Sequence, residues 1–220
     1  MIKIHHLEHS RSQRILWLLE ELSVPYEIVH YKRDPETMLA PDSLREVHPL
    51  GKSPVLEEDG IKVAETGAII EYIIEQHGGG HLKPPPGTPE ARAWTYWMHY
   101  AEGSAMPPLL MKLVFQRLPE GANPVMRPLV RKVAARAEDS FVDPRLRDHI
   151  EFWNSSLAET GWFAGSKFSA ADIIMSFPLE AAANRAGAGR HANIASFLER
   201  IHARPAYQTA LEKGGPYAYA

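Results

Sequence analysis

The N-terminal part of the chain contains two kinds of hydrophobic pattern. Ile2 to Leu7 is a short segment of alternating apolar residues without a helix signal, which predicts a β-strand. A helix is predicted next, because apolar residues then follow the i, i+3, i+4, i+7 spacing of one helical face, namely Ile15, Leu18, Leu19 and Leu22. Pro25 ends this helix, and Tyr26 to Tyr31 is predicted to form a second strand. Such a unit favours parallel strands joined by a right-handed crossover.

The following segment predicts a hairpin and another helix. After a loop rich in proline and charge, with a short helical piece over 44–47, two apolar runs flank Asp59 and Gly60. Asp-Gly between short apolar runs is a strong signal for a β-hairpin. A third helix is predicted from Thr66, and its apolar face contains Ile69, Ile70, Ile73 and Ile74. The predicted order is therefore βαβαββα.

A change of composition at 78–87 divides the chain. This segment reads Gly-Gly-Gly-His-Leu-Lys-Pro-Pro-Pro-Gly, and its glycines and prolines predict a linker. We therefore predict an α/β domain over 1–78, a linker over 79–88 and an all-helical domain over 89–220.

Only helical patterns follow the linker. A long helix is predicted from Thr88 towards Phe115, and Pro107-Pro108 should kink it, because proline cannot donate the hydrogen bond of a regular helix. A second long helix is predicted over 128–157, and shorter ones from near Ala170 and Ile194.

The composition restricts the functions to be considered. Hydrophobic residues make up 45% of the 220 and the formal net charge is -3, which favours a sizeable core but no basic surface for nucleic acid. We find no signal-peptide pattern and no apolar run near the ~18 residues of a membrane helix, and expect a cytoplasmic protein without membrane association. The chain contains no cysteine, so thiol chemistry would need a sulfur atom from a ligand.

Four short motifs lie on this framework. Residues 10–14 (Ser-Arg-Ser-Gln-Arg) follow the first strand, 51–56 (Gly-Lys-Ser-Pro-Val-Leu) lead into the hairpin, 65–66 (Glu-Thr) open the third helix, and 168–173 (Phe-Ser-Ala-Ala-Asp-Ile) open a helix of the second domain. Each pattern is weak alone, but their order and spacing are specific. Together with the domain organisation, which covers the whole chain, they resemble the cytosolic glutathione transferase family in its serine-type, theta-like bacterial or fungal class.

The resemblance implies a thioredoxin-like first domain that binds glutathione, and a helical second domain with a pocket for a small hydrophobic electrophile. It implies a transferase acting in detoxification, with glutathione as co-substrate. It also implies a homodimer, in which the linker edge of one first domain meets the helices of the partner. Glu102 would then reach the ligand of the other subunit.

Ser10 matches the family position whose side chain stabilises the glutathione thiolate. Ionising a thiol of pKa ~8.5 at neutral pH requires about two pKa units, roughly 2.7 kcal/mol. A hydrogen bond to an anion supplies about 1.5–3 kcal/mol, and a helix N-terminus about 0.3–1 more. A hydroxyl and a helix N-terminus therefore suffice without a general base. Two alternatives stay open: Ser10 is only the helix N-cap, or Ser12 makes the thiolate contact.

The other motifs of the first domain would hold the peptide. Pro54 corresponds to a cis proline in the family, which leaves the amide and carbonyl of Ser53 unpaired at the sheet edge for the glutathione backbone. Thr66 would bind the γ-glutamyl carboxylate and Glu65 the ammonium group, while Lys52 would meet the glycyl carboxylate. An ordinary N-cap for Thr66 and a solvated lysine for Lys52 are the alternatives.

In the second domain, the first long helix carries adaptable apolar and aromatic side chains that suit a hydrophobic pocket: Tyr100, Met106, Leu110, Met111 and Phe115. Ordinary packing between helices is the alternative for each of them. We assign Ser169 and Asp172 to a structural capping box, with no catalytic role.

Three further hypotheses concern a metal site, a scaffold without turnover and other glutathione-dependent reactions. His5, His6 and His9 suggest a metal, but adjacent strand residues point to opposite faces, so we predict no metal site. A scaffold of this fold without turnover would not need the glutathione motifs together. A glutathione-dependent isomerase, peroxidase or dehalogenase would share them, although the lack of cysteine disfavours enzymes that form a mixed disulfide with glutathione.

Overall fold

A computed structural model describes residues 1–219. The first part of the molecule comprises β1 (Ile2–Leu7), α1 (Gln13–Glu21), β2 (Tyr26–Tyr31), α2 (Ser43–Val47), β3 (Val55–Glu58), β4 (Ile61–Ala64) and α3 (Thr66–His77). The strands form one mixed sheet in the order β2-β1-β3-β4. The predicted βαβαββα order and thioredoxin-like fold are therefore confirmed.

β1 occupies an inner position of this sheet. It pairs parallel with β2 up to Leu7, which lies opposite Tyr31, and antiparallel with β3. β3 and β4 form the predicted hairpin, in which Asp59 and Gly60 have φ angles of 49° and 84°. Two consecutive positive φ angles are typical of the tight turns that Asp-Gly favours. The carboxyl end of β1 therefore emerges beside the loop that leads into β3.

The second part is helical throughout the described residues. It comprises α4 (Pro89–Tyr100), α5 (Met106–Arg117), α6 (Arg127–Ala137), α7 (Asp143–Thr160), α8 (Ala170–Ala186), α9 (Ala192–His202) and α10 (Pro205–Gly214). Every residue of α8 from Ala170 to Ala182 is buried, which is typical of a helix surrounded by others. α1 and α3 of the first part pack against it, so the two parts share one core.

Both predicted long helices are interrupted by a widened π-type turn. Ala101–Ala105 separates α4 from α5, and Glu138–Val142 separates α6 from α7. Prolines follow each turn, at Pro107-Pro108 and at Pro144. Because these prolines lack the amide proton that a regular helix would use, the preceding turn is the natural place for the irregularity.

The sequence analysis did not predict α10. Its buried residues are Tyr207, Ala210 and Gly214, and it packs along α1. A Cβ atom on Gly214 would lie 2.4 Å from Gln13 Oε1 and 3.0 Å from a Leu16 methyl, so the two helices approach closely here and a larger residue would displace these side chains. The end of α10 therefore lies against the start of α1.

The segment between α3 and α4 contains no helix or strand and is held in place by Leu82. The Leu82 carbonyl accepts hydrogen bonds from the Ala170 amide (2.9 Å) and from the Trp94 indole (3.1 Å). These contacts attach the segment to α8 and α4. Among the helices of residues 1–219, none has the length and hydropathy needed to cross a membrane.

The capping box at the start of α8 is present. The fully buried Asp172 carboxylate accepts hydrogen bonds from the Ser169 amide (2.8 Å) and from the Phe163 amide (2.8 Å), so it also fastens the preceding loop. Burial raises the pKa of Asp172 to about 7, and the two amides oppose this rise. The carboxylate therefore supports both the helix and the loop.

We expect Asp172→Ala to lower the free energy of unfolding by about 2–4 kcal/mol, because two buried amides lose their acceptor at about 1–3 kcal/mol each. Asp172→Asn keeps one acceptor oxygen and should lose about half as much. Urea denaturation measures both. Asp148→Ala, on the exposed face of α7, is the control and should stay within about 0.5 kcal/mol of wild type. Turnover per folded molecule should hardly change; a turnover loss at unchanged stability would contradict the structural role.

Candidate active site

The motif at 51–56 lies against the carboxyl end of β1. The Ser53 hydroxyl donates to the His5 carbonyl at 2.8 Å and accepts from the Leu7 amide at 3.1 Å. The Ser53–Pro54 peptide bond is cis. Among the loop hydrogen bonds of residues 1–219, none uses the Ser53 amide or carbonyl. A bound peptide can therefore pair with this backbone.

Ser10 lies in the turn between β1 and α1, and it is not the N-cap of α1. That position belongs to Ser12, because the helix begins at Gln13. The Ser10 hydroxyl oxygen accepts from the Ser12 amide at 3.2 Å and lies 2.7 Å from the Ser12 hydroxyl oxygen. Ser12 is completely enclosed (0% exposed), whereas Ser10 retains 7%. Of the two serines, only Ser10 retains any exposure.

Several backbone amides at the start of α1 are already hydrogen-bonded within the turn. The helix N-terminus therefore offers fewer donors to a thiolate at Ser10 than the sequence analysis expects. The Gln13 amide donates to the Ser10 carbonyl (3.4 Å), and the Arg14 amide to the Arg11 carbonyl (3.2 Å). The Ser12 amide is used by the Ser10 hydroxyl. Of the turn's amides, those of Ser10 and Arg11 make no loop hydrogen bond within residues 1–219. A thiolate would therefore be stabilised by the Ser10 hydroxyl and at most these two amides.

Glu65 and Thr66 meet at the N-terminus of α3. Glu65 occupies the N-cap position with φ 71° and ψ 128°, a conformation that residues other than glycine rarely adopt, and its side chain does not cap the helix. Thr66 is buried at the first helical position, so the alternative of an ordinary N-cap role for Thr66 does not hold. Such backbone outliers cluster at ligand-binding sites. Lys52 is exposed in the loop before β3.

An ionic cluster joins the Ser10 turn to the helical part. Arg14 is buried and donates to the Ile174 carbonyl (2.6 Å) and to Glu102 (2.6 Å). Arg11 lies 3.3 Å from the other oxygen of Glu102. Although burial opposes it, the two guanidinium groups hold the pKa of Glu102 below its ordinary value. Glu102 is thus engaged by arginines of its own chain, and its expected contact with a partner's ligand has no support in this arrangement.

Aromatic side chains cover the other side of this turn. Phe177 of α8 lies under the guanidinium groups of Arg11 (5.9 Å) and Arg14 (5.2 Å). Tyr219 packs edge-on against Phe177 at 5.3 Å between ring centroids. The backbone of the same C-terminal segment contacts the turn directly, since the His9 amide donates to the Pro216 carbonyl at 3.2 Å. The C-terminal segment therefore borders the candidate site.

The sequence analysis missed these neighbours. Arg11 and Arg14 stand in the first motif, and aromatic residues are visible near the C-terminus, but no local pattern shows that they meet. The contact between Arg14 and Ile174 spans 160 positions along the chain.

The five predicted pocket residues do not line one cavity. Tyr100 and Met106 are buried in the core, and the Tyr100 hydroxyl accepts from the Trp153 indole at 3.1 Å. Leu110 and Met111 are 50% and 36% exposed. Phe115 borders a separate cavity of ≈ 310 Å³ between α5 and α6. Met106 follows Glu102 by four positions and stands at the start of α5.

The neighbouring histidines of β1 face different partners. His5 Nδ1 lies 2.9 Å from the Tyr31 hydroxyl, whereas His6 Nδ1 lies 2.8 Å from the Ser12 hydroxyl. Within residues 1–219 no cluster of three histidine or acidic side chains is arranged to hold a metal ion.

Comparison with known proteins agrees with this architecture. Residues 1–75 match the model of the glutathione S-transferase N-terminal domain, and residues 122–214 match a glutathione S-transferase C-terminal domain. The chain is 34% identical to Glutathione S-transferase 1 of Saccharomyces cerevisiae, over 97% of this chain and 95% of the yeast protein. It is also 34% identical to Glutathione S-transferase 3 of Schizosaccharomyces pombe, over 97% and 88% of the two chains.

A solved structure shows the same fold. The crystal structure of a glutathione S-transferase from Actinobacillus pleuropneumoniae superposes with a TM-score of 0.81 at 28% identity, covering 100% of this chain and 95% of that one. The chain therefore belongs to the glutathione S-transferase family.

We expect Glu102→Gln to destabilise the protein by on the order of 2 kcal/mol at pH 7, because Arg14 loses a charged hydrogen-bond partner in a buried position. Since the folded pKa of Glu102 is depressed, its stabilisation is complete above the ordinary value of 4.5 and is lost as the pH falls through the folded pKa. The difference between variant and wild type should therefore shrink in acid.

Urea denaturation between pH 3 and 7 measures this dependence. Glu151→Gln, which is exposed on α7, serves as the matched control and should follow wild type at every pH. A constant gap between Glu102→Gln and wild type across the series would show that the carboxylate charge is not what matters.

Proposed function

We propose that this glutathione transferase binds glutathione at the carboxyl end of β1, ionises its thiol beside the Ser10 hydroxyl, and directs the thiolate at a hydrophobic electrophile. The observation that carries the proposal is the convergence of three separate motifs. The Ser10 turn directly follows β1, and Ser53 is hydrogen-bonded to its last residue, Leu7. The charge of Glu65 acts on Arg11, where it partly offsets the lowering of the pKa by burial, so the start of α3 lies within electrostatic range of the same turn.

Each motif supplies a different part of the peptide-binding surface. The amide and carbonyl of Ser53 pair with the cysteinyl backbone of glutathione. The Thr66 hydroxyl and the first amides of α3 hold the γ-glutamyl carboxylate, since the leading amides of a helix have no partner within it. Glu65 takes the γ-glutamyl ammonium group, and Lys52 the glycyl carboxylate. These contacts bind the peptide without using the sulfur atom.

The Ser10 hydroxyl acts on the sulfur. The thiol proton leaves to solvent, and the hydroxyl donates its hydrogen bond to the resulting thiolate while staying protonated itself. An electron pair of the sulfur then forms the new bond to the electrophile, and a leaving group departs with its bonding pair or a polarised double bond accepts the pair. Because most amides of the turn are engaged, the hydroxyl supplies the main part of the roughly 2.7 kcal/mol that ionisation requires. This mechanism defines a serine-type, theta-like enzyme.

The electrophile binds where the Ser10 turn faces the helical part, against Met106, Phe177 and Tyr219. Isomerase, peroxidase and dehalogenase activities would use the same thiolate, and a panel of electrophiles at fixed glutathione concentration distinguishes them. The other members of the predicted pocket, Tyr100, Leu110, Met111 and Phe115, contribute packing or surface instead.

The exposed apolar side chains of α5 and α6 suit a homodimer interface. They are Leu110, Met111, Val114, Leu129 and Val133. Exposed apolar clusters of this kind mark association surfaces. Sedimentation equilibrium of the full chain tests the dimer, and a monomer at micromolar concentration would contradict it. The cytoplasmic location stays a prediction, for cell fractionation to test.

We expect millimolar glutathione to raise the melting temperature, because a ligand at 100 times its Kd stabilises the folded state by about 2.7 kcal/mol. Glu65→Gln keeps the size of the side chain but removes the charge that holds the ammonium group, so its thermal response should need higher glutathione concentrations. No response of the wild type at any concentration up to millimolar would favour a scaffold without glutathione chemistry.

We expect Ser10→Ala to raise the pKa of the bound thiol and to lower kcat by roughly ten- to a thousandfold, while KM for glutathione changes far less. Ser12→Ala should have a much smaller effect, since its hydroxyl is enclosed. The thiolate absorbance of the complex, titrated against pH, measures both variants. A shift in Ser12→Ala without one in Ser10→Ala would transfer the role to Ser12, and no shift in either would leave backbone amides as the stabilising groups.

A further inference from the structure

A buried chain of hydrogen bonds runs from β1 to Ser10. His6 Nδ1 lies 2.8 Å from the Ser12 hydroxyl oxygen, which lies 2.7 Å from the Ser10 hydroxyl oxygen. His6 is 2% exposed and Ser12 is fully enclosed. The mechanism above uses only the last member of this chain. Its first two members are a titratable group and a hydroxyl without an assigned task.

The direction of these hydrogen bonds decides what Ser10 can do. A serine hydroxyl has one proton and two lone pairs. The Ser12 amide already donates to the Ser10 oxygen at 3.2 Å. If the Ser12 hydroxyl donates to Ser10 as well, both lone pairs are used and the Ser10 proton points out of the chain. If Ser10 donates to Ser12 instead, its proton points inward and a thiolate must compete for it.

The protonation of His6 selects between these two directions. Burial and the nearby His30 lower the pKa of His6 to about 4, so the ring is neutral and carries one proton. With the proton on Nδ1, the Ser12 oxygen accepts it and the Ser12 hydroxyl donates onward to Ser10. Its other acceptor, the Leu7 carbonyl, is more distant at 3.4 Å. With the proton on Nε2, Nδ1 accepts from Ser12, and Ser10 must donate inward.

The surroundings of Nε2 favour the first arrangement. This nitrogen is buried without a hydrogen-bond partner among the described residues. The Gly214 backbone acts on the ring by raising its pKa, but it forms no hydrogen bond with this nitrogen. Buried N–H groups without an acceptor are rarer than buried acceptors without a donor. The neutral ring is therefore more stable with its proton on Nδ1, where the Ser12 oxygen accepts it.

We propose that His6 is a positioning residue, which acts through Ser12 to make the Ser10 hydroxyl donate outward to the thiol sulfur of glutathione. The proposal rests on the proposed function, because it needs Ser10 to be the thiolate donor. His6 itself does not contact the substrate. Its effect is to keep the Ser10 proton available before the ligand arrives.

The tautomer of His6 can be observed directly in the full-length protein. In 1H–15N spectra of protein labelled with 15N-histidine, the protonated and bare ring nitrogens have different chemical shifts, and comparison with His6→Asn identifies the His6 signals. We expect the proton on Nδ1, both with and without glutathione. A proton on Nε2 would overturn the proposal. The tautomer is observed in the wild-type protein, and the variant serves only to assign the signals.

Two variants test the consequence for the thiol. His6→Leu removes the donor to Ser12, whereas His6→Asn places an amide N–H close to the position of Nδ1. We expect His6→Leu to reduce the ionisation constant of the bound glutathione thiol by about 3- to 10-fold, the size of one modest hydrogen bond, and His6→Asn to restore most of it. The Kd for glutathione at pH 7 should rise by less than this factor, and at a pH where the thiol stays protonated it should be unchanged in both variants.

Ser10→Ala, measured in parallel, distinguishes a failure of the positioning role of His6 from a failure of the proposed function. If Ser10→Ala raises the pKa of the bound thiol but His6→Leu titrates like wild type, the positioning role is wrong and the proposed function stands. If Ser10→Ala itself has no effect, the assignment of Ser10 fails and the role of His6 with it. A His6→Leu protein that only melts earlier, with an unshifted titration, would show a purely structural histidine.

Discussion

The buried guanidinium of Arg14 joins the two parts of the molecule at the place where Ser10 lies. A buried cation is tolerated only when its charge and its N–H groups are paired. Arg14 meets this condition through Glu102 and the Ile174 carbonyl, both contributed by the helical part. The first turn of α1 therefore cannot shift without breaking these bonds. The position of the Ser10 hydroxyl, and everything proposed for it, depends on this constraint.

The candidate site is built from turns that regular structure holds in place. Ser10, Ser53 and Glu65 all lie outside strands and helices, yet each adjoins a buried element: β1, β3 or α3. Loops supported in this way expose backbone groups that a strand or a helix interior would use for itself. The uncommon backbone conformation of Glu65 has the same effect. The Glu65 side chain does not cap α3, so the first amides of this helix stay available to a ligand.

Local patterns were sufficient for most of the fold. The alternation in β1, the spacing of Ile69 to Ile74 in α3 and the Asp-Gly turn each depend on residues a few positions apart, and all are present. The helix α10 was missed because its contacts with α1, among them the approach of Gly214 to Gln13, join residues that are distant in the sequence. The start of α1 was also shifted, because Ser10 and Ser12 are equally good N-cap residues by propensity.

For the candidate site, the sequence showed the residue types of the motifs and their order, but it did not show how these residues are arranged in space. Residue types and their order were enough to show the resemblance to the glutathione transferase family, and the resemblance implied a glutathione-binding domain. The amide hydrogen bonds of the turn are local, but residue types do not show the backbone geometry that forms them. Which serine retains exposure and which arginines hold Glu102 depend on enclosure by distant helices or on contacts between residues 88 and more positions apart. Such contacts form only when the two parts pack together, because burial is a property of the assembled core rather than of any segment.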